Sequence, residues 1–273
     1  MKAFIKNWLI PPSLFEILNN LKFKLVNQEI KALDENDLKD CEKGKRCFIV
    51  GTGSSIQEQN LKLLKDEIVI GVSGLFKHKH IEILSPKYYV NPPIFKSHSQ
   101  YYEKNEFMQY LRDMDAALSD NTIMFFDRSD KKHITDNNIF EKKKIFWVNY
   151  SSWKNKKKIN LKLSNMPSIW SVSESAIQIA ILLDFKEIYL LGFDHNWFEG
   201  NFIYFTNDYL NNFDLKKVQK IDNSVDSEFQ MRRHAQIFDK YKKLYTLKEN
   251  IYNANANSYV DTFPKVKYEE LFK

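Results

Sequence analysis

Short apolar segments of strand length recur along the chain, and stretches with helical periodicity separate several of them. The strand segments are residues 47–50, 67–70, 88–90, 122–126, 145–148, 187–191 and 250–252. The clearest helical segments are residues 61–64, 101–114, 175–183 and 228–247. Because parallel strands need a crossover connection, usually a helix, this alternation is typical of a mostly parallel sheet with helices on both faces. The sequence therefore predicts an α/β, Rossmann-like fold.

Residues 27–46 are polar and charged, and this change of composition predicts a domain boundary. We predict an N-terminal amphipathic extension over residues 1–45 and one Rossmann-like domain over residues 46–273. In the extension, Ser13 and Glu16 form a capping box that opens a helix. Its apolar stripe consists of Leu14, Ile17, Leu18, Leu21 and Leu25. Such a helix suits two roles, contact of residues 1–26 with an anionic membrane surface or packing against the main domain.

The formal net charge of +6 suits an anionic partner such as a nucleotide or a phospholipid surface. The basic run at residues 154–158 lacks interleaved stacking aromatics, so we interpret it as a solvated loop and predict no nucleic-acid partner. The sequence contains no apolar run of membrane-spanning length and no signal-peptide pattern. The two cysteines, Cys41 and Cys47, make no disulfide framework. These features predict a cytoplasmic protein.

The strand at residues 187–191 runs into Gly192, and Asp194, His195 and Asn196 follow at once. In open α/β sheets ligands bind beyond the carboxyl ends of the strands, so these side chains are expected to line a substrate cleft. The alternative is a strand end whose Asp and Asn only cap the next turn. Residues 199–227 have no regular pattern, and we predict that they form a lid that brings Tyr204 to the cleft.

The run Gly51-Thr52-Gly53-Ser54-Ser55 follows the first strand of the domain. Glycines allow backbone N–H groups to approach an anion, and a following helix adds partial positive charge. Ser55 and Glu58 predict a capping box for such a helix. The run has neither the lysine of a Walker loop nor the third glycine of a dinucleotide fingerprint. It predicts contact with a nucleotide, and a plain tight turn is the alternative.

Other predicted element ends also carry small polar or amide side chains. Asn91 follows the strand at residues 88–90, and its amide suits a base edge or a sugar hydroxyl, although Asn before Pro is also a common turn former. Ser73 ends the preceding strand. Ser171 and Ser173 lead a helix, where they would either bind an anion or cap the helix.

Asp113-Met114-Asp115 matches the Asp-x-Asp pattern with which many sugar transferases hold a metal. It lies inside a helical segment, whereas a metal-binding pair should follow a strand, so we interpret it as a solvated helix face. No Cys/His cluster has zinc spacing. We predict no metal site.

Several of these motifs, taken in order, resemble those of the bacterial lipooligosaccharide sialyltransferases of glycosyltransferase family 42. The resemblance is carried by residues 51–55, 72–76, 90–92 and 171–173, and most closely by residues 177–194. It implies a Rossmann-like transferase with a lid that acts without a metal on a CMP-linked sugar. It also implies that amides hold the nucleotide and that two lid tyrosines support the leaving phosphate.

The resemblance assigns roles to some residues and leaves others open. Asn91 matches the family pattern, and Tyr204 would supply one of the two tyrosines. Three residues depart from the pattern: Thr52 and Ser73 replace nucleotide-contacting asparagines, and Asn196 lies near the place of the other tyrosine.

The catalytic histidine of the family has no counterpart at its aligned place near residue 227. The candidates for the general base are therefore His195 and His234, since an imidazole titrates near neutral pH. We prefer His195 because it leaves a strand end, although a buried structural role is equally open to it. His234 lies in a helical segment beside Arg232 and Arg233, where it would instead help to neutralise phosphate.

The resulting hypothesis is a glycosyltransferase of cell-surface polysaccharide or lipooligosaccharide assembly, with a CMP-linked acidic sugar as donor and a glycan or glycolipid as acceptor. We predict no cofactor other than the nucleotide-sugar donor. Contact with the cytoplasmic face of the inner membrane is compatible with this hypothesis. Residues 9–12, 251–254 and 263–266 also resemble segments of surface-polysaccharide proteins related to archaeal hydroxymethylpterin pyrophosphokinases. That alternative implies a pterin or nucleotide pyrophosphokinase that needs ATP and magnesium. A non-catalytic binding module is the third alternative.

Overall fold

A sheet of seven parallel strands forms the centre of the computed structural model, which describes residues 38, 40–94, 104–151, 159, 161–199, 227–255 and 257–273. The strands are β1 (Arg46–Val50), β2 (Ile68–Val72), β3 (Tyr88–Val90), β4 (Ile123–Asp127), β5 (Ile145–Val148), β8 (Glu187–Leu191) and β9 (Ile251–Asn253). Two short strands, β6 (Tyr150–Ser151) and β7 (Met166–Pro167), form a separate parallel pair. The order in the large sheet is β5-β4-β3-β2-β1-β8-β9, which confirms the predicted α/β, Rossmann-like class.

The chain divides into two units, Met1–Leu38 and Lys39–Lys273, and the sheet belongs to the second. The predicted amphipathic helix, the predicted lid from residue 200 to 226 and Tyr204 lie outside the described residues. The boundary at residues 45–46 stays a prediction. Within the described ranges, no helix combines the length and the apolar character that crossing a membrane would require.

The helices are α1 (Ile81–Leu84), α2 (Lys104–Ala117), α3 (Lys131–Thr135), α4 (Val172–Leu182) and α5 (Ser227–Tyr245). Short 3-10 helices lie at Ser54–Gln57, Leu61–Leu64, Ser73–Lys77, Arg128–Asp130, Leu163–Asn165, Trp197–Glu199 and Tyr268–Phe272. Helix α2 packs Leu111 and Met114 into a core cluster with Phe48, Tyr89 and Phe126. Helix α4 packs across β1, β2 and β3 but contributes nothing to that cluster, so it covers the other face, and α5 packs on α4.

Burial on both faces explains why the strands are visible in the sequence. The last four residues of β1, β2, β4 and β8 are all buried, so each strand appears as a nearly continuous apolar run. Phe48 in β1 illustrates the packing, because its ring stacks on that of Tyr189 in β8, with 5.1 Å between the ring centroids. The core therefore fixes the relative positions of the strand ends that carry the polar residues.

Two local predictions need correction. The predicted capping box of Ser55 and Glu58 does not form, because Gly53 is the N-cap of a four-residue 3-10 helix and no side chain caps it. Residues 61–64 form a 3-10 helix and not an α-helix. Both segments are closed by i to i+3 backbone bonds, from Glu58 N to the Ser55 carbonyl and from Lys65 N to the Lys62 carbonyl.

Candidate active site

The strand order changes direction between β1 and β8, and in open α/β sheets this switch point is where ligands bind. The two strand ends are tied together by backbone bonds from Gly51 N to the Leu191 carbonyl (2.7 Å) and from Gly53 N to the Gly192 carbonyl (3.1 Å). A Cβ atom at Gly51 would lie 2.6 Å from the Gly192 oxygen. The glycine is therefore required for this close approach of two main chains.

The carboxylate of Asp194 lies inside the predicted anion turn. It accepts hydrogen bonds from the Ser55 amide (3.1 Å), the Ser54 hydroxyl (3.4 Å), the Ser55 hydroxyl and the Asn255 side-chain amide (2.7 Å). A Cβ atom at Gly53 would lie 2.5 Å from its Oδ2 atom, so Gly53 leaves the space that this carboxylate occupies. The turn does bind an anion, and that anion is part of the chain itself.

The roles predicted for these residues stay predictions, and this arrangement bears on each of them. A phosphate against the Ser54 and Ser55 donors would meet the Asp194 carboxylate at close range, and like charges repel strongly in a partly buried place. Asp194 in turn is held by four donors, which suits a structural role and not the catalytic one predicted for it. Thr52, in the same turn, is partly exposed.

His195 lies in the left-handed region of the backbone, with φ of 54°, and its ring is buried. Its Nε2 atom is 2.8 Å from the Tyr241 hydroxyl, which donates to the Ser173 hydroxyl at 2.5 Å. The Ser173 hydroxyl is 2.6 Å from that of Ser171. Because Tyr241 gives its only proton to Ser173, His195 must donate from Nε2, and its Nδ1 atom has no hydrogen-bond partner within the described ranges.

Burial lowers the pKa of His195 to about 3, and the charges of His234 and Arg233 act in the same direction. A group with this pKa accepts a proton only weakly at neutral pH. His195 is therefore the less favoured of the two candidates for the general base. The structural alternative left open by the sequence describes it better, because it joins the end of β8 to α5 through Tyr241.

His234, like His195, keeps one ring nitrogen without a described hydrogen-bond partner, and it differs from His195 in the group that fixes the ring. Its Nδ1 atom donates to the Gln230 carbonyl at 2.6 Å, which fixes the tautomer and leaves a lone pair on Nε2. That Nε2 atom is buried and has no hydrogen-bond partner in the described part of the chain. The rings of Trp197, Phe198 and Phe238 surround the imidazole, with centroids 5.4 to 5.9 Å away. Burial lowers the pKa of His234, so the ring is neutral at pH 7.

The hydroxyls that lead α4 are occupied by the helix itself. Ser171 is the N-cap, and its hydroxyl accepts from the Ser173 amide at 3.3 Å. Glu174 completes a capping box and also accepts from the amide of Trp170 at 3.0 Å. Burial raises the pKa of Glu174 to about 7, against the opposing effect of Lys240, whose ammonium lies 3.1 Å away. This geometry is the capping alternative and not an anion site.

Two side-chain amides near the sheet are buried without partners. Asn91 continues the ladder one residue beyond β3, with its backbone amide 3.0 Å from the Phe125 carbonyl, and its side chain is 1% exposed. Neither of its side-chain polar atoms has a hydrogen-bond partner among the residues described. The same is true of Gln178 on α4, a residue that the sequence did not single out. Each unpaired buried polar group costs about 1–3 kcal/mol, so such amides mark places where a ligand or a water molecule is expected.

The remaining predicted residues have weaker links to the site. Ser73 has φ of 46° and begins a 3-10 helix, and its carbonyl accepts from the Tyr89 hydroxyl at 2.8 Å. Asn196 is partly exposed beside His195. Arg233 donates to the Trp170 carbonyl at 2.7 Å and lies over the Trp197 ring. In the described residues, no three His, Cys, Asp or Glu side chains gather closely enough to hold a metal ion.

Sequence comparison finds no matching family model and no matching curated protein. Among solved structures, the chain is similar to the sialyltransferase CstII from Campylobacter jejuni, which was analysed in complex with a substrate analogue, cytidine-5'-monophosphate. The two chains share 14% sequence identity, and the match covers 82% of this chain and 85% of that one with a TM-score of 0.43. A similarity at this level concerns the fold alone.

Proposed function

We propose that the protein is a glycosyltransferase that uses a nucleotide-activated sugar, with a CMP-linked acidic sugar as the preferred donor. The buried, unpaired amide of Asn91 carries this proposal. It lies at the carboxyl edge of a parallel sheet, where nucleotides bind in this fold class. A side-chain amide has a donor and an acceptor next to each other, as does the edge of a cytosine, so one base would satisfy both of its unpaired atoms.

The phosphate side of the donor is expected away from the glycine turn, because Asp194 occupies that turn. The predicted lid segment follows the 3-10 helix Trp197–Glu199, which packs against α5 with the Trp197 ring 5.4 Å from that of His234. Tyr204 belongs to this segment and stays the proposed support for the leaving phosphate. His234 is the proposed base that removes the proton from the acceptor hydroxyl, and no metal takes part in the proposed reaction.

A nucleotide-binding panel tests the proposal. Thermal shift and calorimetry with CMP, UDP, GDP and ATP, each with and without magnesium, are expected to show binding of CMP without magnesium. Asn91→Ala is expected to weaken CMP binding about tenfold or more, because it removes hydrogen bonds worth about 1–3 kcal/mol. Asn121→Ala is the matched control, since Asn121 is exposed at the opposite edge of the sheet, just before β4.

The other outcomes of the same panel identify the alternatives. Binding of ATP alone, and only with magnesium, would contradict the glycosyltransferase and favour the pyrophosphokinase. A CMP-linked sugar that binds but is not consumed in the presence of glycan acceptors would favour a binding module. Consumption of the donor in excess chelator would support transfer without a metal.

A further inference from the structure

Gln178 lies in the middle of α4 with its side chain fully buried. Neither Oε1 nor Nε2 has a hydrogen-bond partner among the described residues. Its neighbours along the helix, Ala176, Ile177, Ile179 and Ala180, are apolar and buried. A leucine or methionine would suit this packing without leaving polar atoms unpaired. A buried amide in such surroundings is explained if a polar group binds there.

The amino-terminal half of α4 lies at the same edge of the sheet as Asn91. Ser175 hydrogen-bonds to the hydroxyl of Tyr150, two residues beyond the end of β5. Gln178 follows Ser175 by three residues, which places it about 4.5 Å along the helix axis on the same flank. Helix α4 packs on β3, the strand that Asn91 follows. The two unpaired amides therefore lie on elements that are in contact.

We propose that Gln178 is a second amide of the nucleotide pocket and contacts the hydrogen-bonding edge of the base. This inference rests on the proposed function and adds a residue that determines which base is accepted. A ligand without matching donors or acceptors would leave this buried amide unpaired. Sites of this kind reject ligands that lack the expected polar groups.

The test compares Gln178→Met with the wild-type protein by calorimetry, with CMP and with ribose 5-phosphate, which has no base. The variant is expected to raise the Kd for CMP about tenfold or more, while the Kd for ribose 5-phosphate stays within about twofold of the wild type. Without ligand its Tm is expected to equal or exceed that of the wild type, because an unpaired buried amide has been removed. Gln109→Met on the exposed face of α2 is the matched control and should change none of these quantities.

The outcomes separate the inference from the proposed function. An unchanged Kd for CMP in Gln178→Met overturns the inference alone, as does an equal loss of affinity for both ligands, which indicates a structural role. Failure of the wild-type protein to bind CMP, UDP, GDP or ATP overturns the proposed function and the inference with it. If Gln178→Met does not fold, Gln178→Ala is judged by the same two dissociation constants.

Discussion

At the scale of single residues, the two histidines near the end of β8 have different roles although their rings lie only 5.4 Å apart. His195 is fixed by Tyr241 and is part of a chain of hydroxyls that ends at the N-cap of α4. His234 is fixed by a backbone carbonyl and keeps a lone pair free of described partners. The two rings therefore differ in the nitrogen that is bonded and in its partner, whereas each keeps one nitrogen without a described partner.

His195 makes stability depend on pH in a predictable direction. Its pKa is about 3 in the folded chain against 6.5 in the unfolded chain, so between these values the unfolded state binds a proton that the folded state does not. The free energy of unfolding is expected to fall as pH drops from 6.5 towards 3, by up to about 1.4 kcal/mol per pH unit for this group. Urea unfolding at a series of pH values measures this slope.

His195→Gln is expected to reduce that slope, since the variant keeps an amide donor towards Tyr241 but has no titrating group. Part of the slope will remain, because burial also lowers the pKa of His78 to about 4. Asn121→Gln is the control, because Asn121 is exposed and does not titrate, and it should leave the slope unchanged. The same slope in His195→Gln as in the wild type would contradict the assignment.

His234→Gln tests the proposed base. Loss of a general base typically lowers kcat by about a hundredfold or more, whereas the affinity for the nucleotide should change little. The measurement is steady-state transfer from the CMP-linked donor, with a separate titration of CMP. His195→Gln is the comparison variant. It should retain most of the transfer activity, although its free energy of unfolding depends less on pH. Equal losses in the two variants would argue against the division of roles.

At the scale of elements, Asp194 connects three parts of the sheet edge. Its carboxylate bonds the turn after β1 and the loop after β9, while its own position is the end of β8. The Tyr259 amide also donates to its backbone carbonyl at 3.1 Å. A side chain that satisfies donors from two other elements stabilises their relative positions.

Asp194→Ala is expected to lower the free energy of unfolding by about 2–4 kcal/mol, because several partly buried donors lose their acceptor. The vacated turn should then bind a small anion. We therefore expect 100 mM acetate, roughly the dissociation constant of a weak anion site, to raise the Tm of the variant more than that of the wild type. Asp261→Ala, at an exposed position, is the control. A variant as stable as the wild type, or one that acetate does not help, would show that the turn needs no anion.

The sequence predicts most of the strands and helices but few of the contacts between them. The strands could be predicted because burial on both faces makes them apolar runs. Their order could not, since it depends on pairings such as β1 with β8, which lie far apart in the chain. The hydrogen bond between Asp194 and Ser55 could not be predicted for the same reason, because the two residues are 139 positions apart in the sequence. The sequence motifs do not single out Gln178. A single amide among the apolar residues of α4 is nevertheless a pattern that indicates a buried polar site.

At the scale of the whole molecule, the polar groups of interest lie on one edge of a single sheet but do not form one anion site. The glycine turn is occupied by the chain's own carboxylate, and the hydroxyls that lead α4 serve as caps. Asn91, Gln178, His195 and His234 are among the described residues that have buried polar side-chain atoms without a hydrogen-bond partner. The proposed function assigns the unpaired amides to nucleotide binding and His234 to the role of general base.

A crystal structure of the protein with CMP tests this account most directly. The account predicts cytosine within hydrogen-bonding distance of the Asn91 side chain, with the Asp194 carboxylate still in the glycine turn. A phosphate that displaces Asp194 from the turn, or a nucleotide bound away from Asn91, would contradict it.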